Sequence, residues 1–121
     1  MGRPVIHFEI GCRDRDKTEA FYGKLFDWRI ERAGPAGVIS SASGRGIQGH
    51  ISSLGHEPHN YVNIYVEVEN LEAYLARASE LGAKTVVGPV AIPQGRFAWI
   101  ADPEGTVIGL MEPTREIGEP S

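Results

Sequence analysis

The sequence predicts an α+β domain made of two βαβββ modules that form a cupped mixed sheet. Three observations carry this prediction. Several segments alternate apolar and polar residues with a period of two, and two others carry apolar residues at helical spacing. The order strand-helix-strand-strand-strand also occurs twice along the chain. A length of 121 residues suits one compact domain. The 41% of hydrophobic residues can build its core. A chain of this size buries roughly two-thirds of its unfolded surface, so folding requires neither a disulfide nor a structural metal.

Module one is assigned to residues 4–54. Pro4 to Cys12 reads as a strand, with Ile6, Phe8, Ile10 and Cys12 alternating against His7, Glu9 and Gly11. Asp14 or Asp16 is available to cap a helix over Lys17 to Phe26, whose apolar residues are Phe21, Tyr22, Leu25 and Phe26. Strands are expected at Trp28 to Ala33, Gly37 to Ser43 and Ile47 to Ser53, separated by glycine-containing turns.

Residues 55–60 form a linker, and module two follows over 61–113. Its opening strand sets Val62, Ile64, Val66 and Val68 against Asn63, Tyr65 and Glu67. Asn70 caps a helix with an apolar stripe of Leu71, Tyr74, Leu75, Ala78 and Leu81, and Gly82 ends it. Strands are expected at Lys84 to Val87, Phe97 to Ala101 and Thr106 to Glu112. The turn Asp102-Pro103-Glu104-Gly105 joins the last two, and residues 114–121 read as a loose tail. A shift of 56 positions brings His7 onto Asn63, and one of 59 brings His50 onto Gly109.

Twelve basic and sixteen acidic residues leave a formal charge of -4, which argues against a nucleic-acid partner. The apolar runs are far too short to span a membrane, and no signal peptide is visible, so a cytoplasmic protein is expected. The single cysteine, Cys12, excludes an internal disulfide and a cysteine-based zinc site. It falls on the apolar side of its strand, where a buried, inert thiol is expected. No nucleophile elbow or phosphate loop appears.

Alternation also assigns faces. Each opening strand packs its apolar side on its own helix, leaving His7, Glu9 and Gly11 opposite in one module and Asn63, Tyr65 and Glu67 in the other. Gln48, His50 and Ser52 repeat the pattern. Such a face is either solvated or lines a cavity, and a curved sheet favours the cavity. Phe97 and Trp99 share one face, which is either helix packing or an aromatic wall for a planar ligand.

At this point the chain resembles a known superfamily. The segments His7-Phe8-Glu9-Ile10, Ala20-Phe21-Tyr22-Gly23-Lys24-Leu25-Phe26-Asp27-Trp28 and Ala101-Asp102-Pro103-Glu104-Gly105-Thr106-Val107-Ile108-Gly109-Leu110 resemble the vicinal oxygen chelate group, which includes glyoxalases, bleomycin-resistance proteins and extradiol dioxygenases. The resemblance implies the cupped two-module sheet and a homodimer. In the glyoxalase branch it implies a divalent metal (Zn, Ni, Mn or Fe) held by a His on each first strand and a Glu on each last strand. Carried over by position, the two His places are His7 and Asn63. The C-terminal Glu place is Gly109, and the remaining Glu place lies near Gln48 to His50. The ligand set is therefore depleted, and His7 and His50 are the candidate metal ligands.

Each site residue also has a plain reading. His7 and His50 can be polar strand residues, and His56 and His59 belong to a solvated linker. Glu9 and Glu67 are expected at the rim, paired with Arg96, Arg45 or solvent. Phe26 and Trp28 are assigned to the core or to a dimer contact. The leading functional expectation is a protein that binds a small organic molecule in the cup through His7, Glu9, Gln48, His50, Asn63, Tyr65, Glu67 and Trp99, without the full metal site. The alternative is a divalent-metal-dependent lyase, isomerase or dioxygenase of the same superfamily. Whether the chain is an enzyme is left open by the sequence.

Overall fold

The structure, a computed structural model, describes residues 2–33, 36–53 and 60–114. Its elements run β1 (Val5–Gly11), α1 (Arg15–Phe26), β2 (Arg29–Ala33), β3 (Ala36–Ser40), β4 (Gln48–Ser52), β5 (Tyr61–Glu67), α2 (Leu71–Glu80), β6 (Lys84–Ile92), β7 (Gly95–Ala101) and β8 (Val107–Pro113). The order is βαβββ twice, and the α+β class expected from the alternation is the one observed. The chain divides into two compact units, Ile6–Ile64 and Met1–Val5 with Tyr65–Ser121.

In the first unit β1 pairs in parallel with β4, and β4, β3 and β2 continue as antiparallel neighbours. The Asp14 side chain accepts the backbone N–H of Lys17, so it is Asp14 that caps α1. The core joins Cys12, Ile39 and Ile51, with Phe8, Ile10, Tyr22, Trp28 and Ile30 packed on it. Trp28 thus belongs to the core, its ring against those of Phe8 and Tyr22. Phe26 touches the Trp28 ring yet stays 51% exposed. Cys12 is buried, as expected, and its thiol donates to the Ser52 carbonyl.

In the second unit β5 pairs in parallel with β8, and β7 and β6 follow as antiparallel strands. Asn70 caps α2 by accepting the Ala73 N–H. Val68, Leu71, Ala98 and Leu110 form the core, flanked by Val66, Leu75 and Ile100. Arg96 ties the helix start to the strands by donating to Glu112 and to both carboxylate oxygens of Glu72. That bond holds the Glu72 carboxyl down at about 2. The second Glu112 oxygen accepts the Leu71 N–H, one of the donors a helix start leaves unpaired.

Most strands differ from their expected bounds by one to three residues, and β6 differs most. The expected strand ends at Val87, but β6 continues through Gly88-Pro89 to Ile92 with irregular register between Thr85 and Val90. As an edge strand β6 tolerates a residue that donates no ladder hydrogen bond. Among the described residues no helix is long and apolar enough to cross a membrane. His56 and His59 lie outside the described residues, as does most of the tail.

Candidate functional site

The parallel register of β1 and β4 sets His7 beside Gln48, Glu9 beside His50 and Gly11 beside Ser52. Residues at this parity point away from the α1 core, because Phe8, Ile10 and Ile51 at the other parity pack into it. The face assigned from alternation is therefore the one opposite the core, and His7, His50 and Glu9 touch in turn on it.

His7 Nε2 lies 2.7 Å from His50 Nδ1, with the rings 29° apart. Which nitrogen donates follows from the tautomers, but one of the two must offer a lone pair. Burial, then the field of His50, pushes the His7 pKa down to about 4, against a smaller upward pull from Glu9. His7 is accordingly neutral at pH 7. The other nitrogen of His50, Nε2, lies 3.4 Å from Glu9 Oε2. The same carboxylate oxygen accepts the Tyr61 hydroxyl at 2.6 Å. Burial, reinforced by that bond to Glu9, pushes the Tyr61 phenol well above its ordinary range, so it remains a donor.

The result is a chain of four side chains, His7, His50, Glu9 and Tyr61, drawn from β1, β4 and β5. Gly11 makes it possible, because a Cβ there would collide with the Tyr61 ring. Tyr61 is not among the residues the alternation singles out, although the period of two that puts Asn63 on this face extends back to it. The expectation for Glu9, a rim position paired with Arg96, Arg45 or solvent, is corrected by the structure. Glu9 is only 2% exposed and is held by Tyr61 and His50, while Arg96 is spent on Glu72 and Glu112. The strand register brings His50 to Glu9, and burial makes a neutral phenol and an imidazole better partners than a solvated guanidinium.

Asn63, two residues beyond Tyr61 on the same face of β5, is 4% exposed. Its Oδ1 and Nδ2 are both buried, and neither has a hydrogen-bond partner among the described residues. Burying an unpaired amide costs about 1–3 kcal/mol on mutational scales, so such a group calls for a partner of its own. Gln48, by contrast, is exposed at the start of β4.

The second unit presents a different face. Tyr65 is buried, its hydroxyl accepts Trp99 Nε1 at 2.8 Å, and the Phe97 ring meets it edge-on. Ala98 and Ile100 face α2, which places Phe97 and Trp99 on the opposite side, away from that helix. Tyr65 pairs with Gly109 in register, and its ring covers the place where a side chain at 109 would begin. Glu67 lies half-buried beside Met111.

A metal would require several donors to converge on one point. His7 and Glu9 instead approach opposite nitrogens of His50, and position 109 is covered by an aromatic ring. Among the described residues no group of three or more His, Cys, Asp or Glu side chains is arranged to hold a metal ion.

Two βαβββ modules with polar strand faces define a protein of the vicinal oxygen chelate class. The chain belongs to the glyoxalase-like domain family, whose model matches residues 6–111. It is 33% identical over 55 residues to "Putative glyoxylase CFP32" of Mycobacterium bovis, a match covering 45% of this chain. The match spans 21% of that curated relative's length. Among solved structures it is similar to methylmalonyl-CoA epimerase from Mycobacterium tuberculosis, with 17% identity, TM-score 0.64, and coverage of 94% of this chain and 90% of that one. A hypothetical protein from Bacillus halodurans C-125 gives TM-score 0.71 at 12% identity, covering 96% and 98%. The Streptomyces coelicolor methylmalonyl-CoA epimerase in complex with 2-nitronate-propionyl-CoA gives 0.65 at 16%, covering 93% and 95%. At these identities the structures share the fold.

Proposed function

We propose that this glyoxalase-like protein binds a small organic molecule on the polar faces of its strands, and does so without the family's full metal set. The observation that carries the reading is the direct contact of His7 with His50. Nitrogens that would both be ligands in a metal site are spent on each other, and the Glu9 carboxylate is engaged by Tyr61 on the far side of His50. The residues present do not fit a chelated metal. They fit recognition of an organic ligand, with His7, Glu9, Gln48, His50 and Asn63 as contacts on one face and Tyr65, Glu67 and Trp99 on the other. Buried but chemically versatile groups of this kind are what small-molecule sites use.

An isomerase working by proton transfer is a second reading of the same residues. It is favoured by the buried Glu9 beside a neutral His7, groups able to accept a proton from a bound substrate. Homodimerisation belongs to the proposal too. Phe21, Leu25 and Val62 are 56%, 57% and 71% exposed, apolar surface that a partner would cover.

Screening a fragment library by amide-resolved NMR tests the reading. Fragments that shift β1, β4 and β5 resonances, and lose affinity in His7→Ala, are expected. Fragments that bind only elsewhere would overturn it. Light scattering at micromolar concentration checks the dimer, and a monomeric mass would remove that part.

A further inference from the structure

We infer that Asn63 is the anchor for a neutral ligand group carrying one donor and one acceptor side by side, as a primary carboxamide or a lactam does. The inference rests on the ligand-binding reading above and names the class of ligand. Its basis is the orphaned amide: both polar atoms of Asn63 are buried, and neither is paired among the described residues. The titratable groups of the same polar face are already committed. Tyr61, two residues earlier on the same face, donates to Glu9, and Glu9 also faces His50. The acceptor at Oδ1 and the donor at Nδ2 of this buried side chain therefore lack a counterpart among the described residues.

The chemistry of the amide selects the class. A carboxylate offers two acceptors, satisfies Nδ2 and sets like against like at Oδ1. An ammonium offers donors alone and satisfies only Oδ1. A carboxamide or lactam edge offers one of each and pairs with both atoms.

Benzamide, N,N-dimethylbenzamide, benzoate and benzamidine serve as probes of nearly one shape. Side-chain NH2 resonances of Asn63 in the full-length protein should move with benzamide and stay in place with the dimethyl analogue. Asn63→Leu, which replaces the orphaned amide by an apolar group of similar size, should fold with unchanged or higher Tm and weaken benzamide by at least about tenfold. Asn63→Asp turns the site into acceptors alone, so its preference should pass from benzamide to benzamidine. A structural role would not produce that exchange.

If Asn63→Leu is destabilised and benzamide affinity is unchanged, the amide serves an internal water and the inference falls. If other fragments bind the β1 and β4 face with no dependence on Asn63, the inference falls while the ligand-binding reading stands. If no probe or fragment of any class reaches that face, the reading itself falls and takes the inference with it.

Discussion

His7 Nε2 lies 2.7 Å from His50 Nδ1, a contact that commits one nitrogen of each ring to the other. From it the polar network runs through the second His50 nitrogen to Glu9 and on to the Tyr61 hydroxyl. Three strands are joined through side chains on the face opposite the core. Each link has a measurable consequence.

The first concerns pH. The folded-state pKa of His7 is about 4, below its ordinary 6.5. Between those values the unfolded chain binds more protons, so the contribution of His7 to stability is full above pH 6.5 and is lost as pH falls through about 4. Urea midpoints should decline over that window, and His7→Gln should flatten the decline. An NMR titration should place His7 near 4, and a midpoint near 6.5 would show an unburied ring.

Tyr61→Phe removes the hydroxyl that Glu9 accepts and leaves a buried carboxylate short of a donor. The expected loss is about 1–3 kcal/mol by urea denaturation, the usual cost of orphaning a buried group. A loss below about 0.5 kcal/mol, the range of ordinary surface changes, would mean that the bond contributes nothing.

Gly109→Glu restores the residue type that the superfamily resemblance expects at this place. Tyr65 covers that position, so the new side chain must displace the ring and break its bond with Trp99. Overpacking of this sort costs about 1–3 kcal/mol, and a lower Tm is expected. An unchanged Tm would show that the position is open and that only its side chain is missing.

Much of the fold was legible because alternation and helical spacing are local signals. His7, Glu9 and His50 were placed on one face by parity alone, and Asp14 and Asn70 were readable as caps from residue type. What stayed hidden depends on register and burial. Nothing local pairs Glu9 with His50, since their contact arises only when β1 meets β4 in parallel. Tyr61 is hidden because the clear alternation begins only at Val62, one residue after β5 does. The continuation of β6 past Val87 depends on its edge position, where Pro89 withholds no ladder hydrogen bond that a neighbour needs. Gly109 was visible as a missing ligand, whereas the Tyr65 ring that covers it needed the β5 to β8 register.

The central claim is that the polar face recognises an organic ligand with its histidines committed to each other. Elemental analysis of protein purified without a His-tag, followed by titration with Zn, Ni, Mn and Fe(II), tests it most directly. The account predicts no stoichiometric metal and no tight binding of any of the four ions. About one tightly bound metal per chain, lost in both His7→Ala and His50→Ala, would contradict it and make those two residues ligands.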